Sequence, residues 1–202
     1  MSNIEDDLTF MRTMAEQGRR GRILGGSFLI AAGLVFGLAS FAQWALQAGM
    51  LPAFPILHLW IGAEILFALV WLAMILSWRT RLRGDETVRH GTAQKVFGAA
   101  WCGCGGGICV LIGAIALMAW QQHDPVLMRA APLAAFAFYG AAWFMIGALA
   151  QRRWMLWTAG ASFVLTIALA LIPYPNMLLV MGTGLLATLM LPGVGLVRDA
   201  AR

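Results

Sequence analysis

Apolar residues run along this chain in long blocks separated by short polar links. The clearest block is residues 55–78, PILHLWIGAEILFALVWLAMILSW, which carries one formal charge, Glu64, and is closed by RTRLR. At about 1.5 Å per residue a helix of that length reaches roughly 36 Å, enough to cross a hydrocarbon core of about 30 Å with some tilt. Comparable blocks predict spanning helices at 23–47, 96–121, 128–150, 155–172 and 177–197, six in all with 55–78. PYPN, at 173–176, predicts a tight turn because two prolines cannot continue a helix, and Pro192-Gly193 predicts a kink near the end of the last span.

Before the first block, Ile4, Leu8, Met11 and Ala15 share one helical face, with Met14 beside them. Ser2 and Glu5 have capping-box spacing, and Glu5, Asp6 and Asp7 suit the positive end of a helix dipole. Residues 2–17 therefore read as an amphipathic helix on the membrane surface, either a plain anchor or a docking or gating element. The expected fold is all-α, a polytopic membrane protein with six transmembrane helices in a bundle. The expected organisation is 1–22 for the amphipathic helix and its basic flank, 23–197 for the membrane domain and 198–202 for a tail.

Composition agrees: 61% of residues are hydrophobic and 11% are charged, against about 25% charged in soluble domains. The formal net charge of +5 does not point to nucleic acid, because the basic residues sit at the ends of apolar blocks, where they orient helices. With six spans both termini share a side, and every lysine and arginine except Arg129 falls there. The expected placement is a cytoplasmic or inner membrane with both termini cytoplasmic. Trp44, Trp60 and Trp120 would mark the outer boundary, and Trp78, Trp101, Trp154 and Trp157 the inner one. The acidic start lacks the form of a cleavable signal, so the first span is expected to direct its own insertion.

Candidate chemistry centres on Glu64, because lipid does not tolerate a bare carboxylate. Trp60, Glu64, Phe67, Trp71 and Trp78 recur on one helical face, placing an acid among rings that attract a cation through their quadrupoles. An acid that exchanges a proton for a cation is the minimum chemistry of proton-coupled export. Ser40, Tyr139, Thr166 and Thr183 fall at a similar depth, about 9 to 14 Å below their helix ends, so a polar layer around Glu64 is expected. Tyr139 is the favoured partner because a phenol can donate to a carboxylate, and Gly113 at that level on the third span would admit a close neighbour. Interhelical hydrogen bonding by Glu64, worth about 0.6–2 kcal/mol, is the structural alternative, and exposure at an oligomer seam is a third.

Cys102, Cys104 and Cys109 could offer soft ligands to Cu(I), supported by methionines. Cys102 and Cys104 lie about 200° apart around a helix, however, so no metal is assigned unless the glycines unwind it. Gly103 and Gly107 form a GxxxG pair suited to tight crossing. His58, His90 and His123 have no zinc spacing, and neither a phosphate loop nor a catalytic pair is visible. No cofactor is expected, and an enzyme is the least supported class. A weak repeat aligns Trp71 with Trp143 and suggests helix hairpins 1-2, 3-4 and 5-6 as units.

The first functional expectation is a small proton- or cation-linked transport or binding protein using Glu64, lined by Trp60, Phe67 and Trp71. The alternative is an accessory or regulatory protein that docks a partner through residues 2–17 and the basic link 79–95. Expected partners are the bilayer with its anionic heads, a small cation or proton, and further copies of the chain.

Overall fold

The computed structural model describes residues 25–81 and 92–201, and every regular element among them is helical. The helices are α1 (Gly26–Gln47), α2 (Ile56–Arg81), α3 (Thr92–Gln122), α4 (Ala130–Ala150) and α5 (Arg153–Leu171). The last helix, α6, runs over 177–201 through Met177–Leu185, a π-helical turn Leu186–Met190 and Leu191–Ala201. Six helices are long and apolar enough to cross a membrane. The chain is that of a multi-pass membrane protein. Residues 2–17 and most of the 79–95 link lie outside the described residues.

Local chemistry explains where the helices stop. A chain in lipid must pair every backbone group within its own helices, so breaks fall where proline, glycine or a cap permits them. After α1 the chain turns at Gly49, whose φ of +73° is the left-handed conformation that glycine adopts without strain. Between α3 and α4, Asp124 Oδ1 accepts the Val126 N–H at 2.9 Å and opens the 3-10 turn Pro125–Arg129. The predicted turn at PYPN is present between α5 and α6.

The helices of hairpins 1-2 and 3-4 do touch, but the larger contacts run between hairpins. The most extensive contacts join α4 to α5 and α1 to α6, while α2 rests on α1 and α3 on α4. Lipid tails are as apolar as leucine, so close approach of helices depends on small residues and hydrogen bonds rather than on escape from water. At the α1–α6 crossing, Gly26 and Gly193 meet backbone to backbone: a Cβ on Gly26 would stand 2.5 Å from the Gly193 carbonyl oxygen. One on Gly33 would stand 2.7 Å from the Met190 nitrogen. The predicted Gly103–Gly107 crossing is not built as a pair. A Cβ on Gly107 would meet the Phe138 ring at 2.7 Å, but one on Gly103 or Gly113 would meet nothing within 4 Å.

The two aligned tryptophans stand in different surroundings: Trp71 is 50% exposed and Trp143 is fully buried. Trp143 has a structural task. Pro192 has no N–H to offer the Thr188 carbonyl four residues earlier, and the π turn sits immediately before this proline. Trp143 Nε1 donates to that carbonyl at 2.8 Å. Trp143→Phe should therefore leave a buried carbonyl short of a donor and destabilise by about 1–2 kcal/mol. Pro192→Ala, which restores a backbone donor, should recover most of the loss, and thermal melts of both single variants and the double variant check this coupling.

Candidate functional site

Glu64 lies eight residues into α2, about 12 Å along the helix from Ile56. The half-buried and buried positions of α2, Leu59, Trp60, Ala63, Phe67, Val70 and Met74, recur at helical spacing and form its seam with α1. Ile61, Ile65, Leu69, Leu72 and Leu76 make an exposed aliphatic face on the other side. Glu64 falls between the two, about 100° around the helix from Ala63, with Trp60 one turn before it and Trp71 two turns after it. Its carboxylate is exposed and has no hydrogen bond or ion pair among the described residues.

The helix that carries Glu64 packs on α1. Phe67 packs against Phe28 and Phe36 of α1, with ring centroids 5.3 and 5.1 Å apart. From α4, half-buried Tyr139 is close enough to Glu64, Cys104 and Cys109 to feel their charge. Trp101 of α3 stands 6.0 Å from the Tyr139 ring and 5.5 Å from Trp143. It is 8% exposed, and its Nε1 donor is buried without an acceptor among the described residues. Trp101 is therefore a core residue at the α3–α4 contact.

Towards the end of the helices opposite the termini, Trp60 Nε1 donates to Gln43 Oε1 at 2.8 Å. Gln43 Nε2 donates to the Tyr174 hydroxyl at 3.5 Å, and the Arg129 guanidinium lies 4.7 Å over the Tyr174 ring. This chain ties α2, α1, the α5–α6 turn and the start of α4 together one turn beyond Glu64. Sequence reasoning missed Gln43, Tyr174 and Arg129. Their signal was faint, although Arg129 stands out as the lone basic residue at that end.

The expected polar layer does not assemble around Glu64. Ser40 donates to the Phe36 carbonyl at 2.8 Å, Thr166 to Ser162 at 3.0 Å and Thr183 to Leu179 at 2.8 Å. Each hydroxyl is taken up by its own helix four residues back, the usual outlet for Ser and Thr within a helix, and Thr183 faces outward. No described hydrogen bond joins Tyr139 to Glu64. Trp60, Glu64 and Phe67 thus lie along one side of α2, Trp71 is at its exposed edge, and the hydroxyls of Ser40, Thr166 and Thr183 are each bonded within their own helices.

No family model, curated protein or solved structure matches this chain. The site must be judged on its own chemistry. α3 stays helical through its glycines, so Cys104 is buried on the α4 side while Cys102 and Cys109 are exposed, and the three thiols do not converge. Among the described residues no group of three or more His, Cys, Asp or Glu could hold a metal ion. What remains is a membrane-depth carboxylate beside aromatic rings and one phenol, a set suited to exchanging a proton for a cation.

Proposed function

We propose that this chain is a small proton- or cation-linked transport or binding protein of a cell membrane, with Glu64 as the exchanging group and both termini cytoplasmic. The observation that supports the reading is the Glu64 carboxylate, unpartnered among the described residues, eight residues into an apolar helix long enough to span a membrane. A bare carboxylate in hydrocarbon is unfavourable by at least about 2.5 kcal/mol, so the acid is neutralised by a proton or by a cation. Those two states exclude one another, which is the coupling a proton-for-cation exchanger needs. Phe67, Trp60 and Trp71 favour a lipophilic organic cation over a small hydrated one, because rings replace few of the hydrogen bonds that water gives.

The test is proton release. Adding tetraphenylphosphonium to the purified protein in weakly buffered detergent should release close to one proton per chain, and absence of both release and binding overturns the proposal. Tyr139→Phe removes the phenol near the acid and keeps the ring packing. It should weaken cation binding about 3- to 10-fold, corresponding to about 1 kcal/mol, with no change in melting temperature. Equilibrium titration checks it.

A second reading is favoured by the packing. Only 6% of the α2 span and 11% of the α3 span are buried, against 56% for α6. An accessory or regulatory protein would cover those two helices with a membrane partner and use segments 2–17 and 79–95 at the cytoplasmic surface. Copies of this chain would serve equally as that partner.

A further inference from the structure

α5 and α6 meet along a seam that opens into two clefts, neither of which is lined by a residue of α2. One, of about 240 Å³, is lined by Leu165, Leu179, Gly184 and Ala187 among others. The other, of about 470 Å³, continues from the same Ala187 past Thr158, Leu191 and Gly195 to Asp199. From Ala187 to Asp199 is twelve residues of helix, about 18 Å, close to one leaflet of a hydrocarbon core that is about 30 Å thick.

The walls of the trough are apolar in what they ask of a ligand. Thr158 and Thr183 are the hydroxyls along it, and both donate to their own helices, at 3.0 and 2.8 Å. Small residues hollow it out: a Cβ on Gly195 would meet no atom within 4 Å, and Ala187 is exposed.

The end of the trough nearest the chain termini is charged. Arg152 Nη1 and Asp199 Oδ2 pair across the seam at 2.8 Å, which cancels one charge of each sign. Arg153 and Arg198 are exposed beside this pair and have no acidic partner among the described residues. Arg198 is seven residues from Leu191, two helical turns, and so stands above the same lining. The trough therefore has a largely apolar lining about one leaflet long, ends on the paired Asp199, and has two further arginines next to that pair in sequence. Basic pockets between helices at a membrane surface recognise anionic lipid heads.

We propose that the α5–α6 trough binds one anionic phospholipid, with an acyl chain laid between Ala187 and Leu191 and the headgroup held by Arg153 and Arg198. This site is separate from Glu64 and does not depend on the transport reading.

Native mass spectrometry of the purified chain, exchanged through micelles containing equal phosphatidylglycerol and phosphatidylcholine, tests the proposal. One phosphatidylglycerol per chain is expected, with at least a fivefold preference over phosphatidylcholine. Gly195→Leu places its Cβ where no atom lies within 4 Å and extends its side chain into the trough; it should lose the bound lipid while its melting temperature in lipid-free detergent stays at the wild-type value. Ala187→Leu serves as an independent blocking variant. Arg153→Gln with Arg198→Gln should keep a bound lipid but lose the preference. Equal retention of the two lipids by the wild type overturns the proposal, as does undiminished phosphatidylglycerol in both blocking variants. So do lipid-free dimers in the wild-type spectra, which would mean that a second copy occupies the trough.

Discussion

Glu64→Gln is expected to reduce cation flux at least 100-fold while the protein still folds. Glutamine keeps the shape of the side chain and removes the proton that exchange requires. The wild-type carboxyl makes no hydrogen bond or ion pair among the described residues, so the variant leaves no partner stranded, and glutamine is neutral as the protonated acid is. Melting temperature should stay level or rise. Flux is measured in proteoliposomes under an imposed pH gradient, with tetraphenylphosphonium as the transported cation. Glu64→Asp keeps the chemistry but withdraws the carboxyl by one methylene, and should retain partial flux. Full flux in Glu64→Gln would remove the acid from the mechanism and leave the accessory reading.

Gly33→Val should have the largest effect on stability, about 3 kcal/mol or more. A Cβ at that position would lie 2.7 Å from the Met190 nitrogen and 3.1 Å from the Leu185 carbonyl oxygen, and backbone atoms cannot step aside as a flexible side chain does. The two helices must separate along the crossing that also holds Gly26 against Gly193. Overpacking a well-fitted site costs about 1–3 kcal/mol and more where relaxation is blocked. The matched control is Gly105→Ala on α3, where an added Cβ meets nothing within 4 Å. That change should be neutral or gain up to about 1 kcal/mol from helix propensity. Thermal melts in one detergent decide the comparison. Equal melting temperatures for Gly33→Val and wild type would show that α1 and α6 do not cross closely.

The contrast between these glycines shows what could be read in advance and what could not. GxxxG at Gly103 and Gly107 is visible in the sequence, and so are Gly26, Gly33 and Gly37. Nothing in the spacing says which set meets another helix, because close approach is a property of two surfaces and a motif describes one. Trp143 presents the same difficulty. Its partner is the Thr188 carbonyl, released by a proline 49 residues away along the chain, and no local pattern pairs them. The depth of Glu64 was legible, as was the aromatic character of its face. The fate of the hydroxyls at its level was not, since Ser40, Thr166 and Thr183 had backbone carbonyls of their own within reach.

The sequence by itself determined the number of spanning helices, their ends to within a few residues, and the position of the acid within its span. It could do so because a segment crossing lipid must satisfy its own backbone, which makes length and apolarity local properties of each stretch. Only the tertiary structure decided that α1 pairs with α6 and α4 with α5, and that α2 and α3 stand at the flanks. Apolar helix faces are interchangeable to lipid, so the choice among them rests on the fit of small residues and a few buried hydrogen bonds, which exists only once two helices are in place.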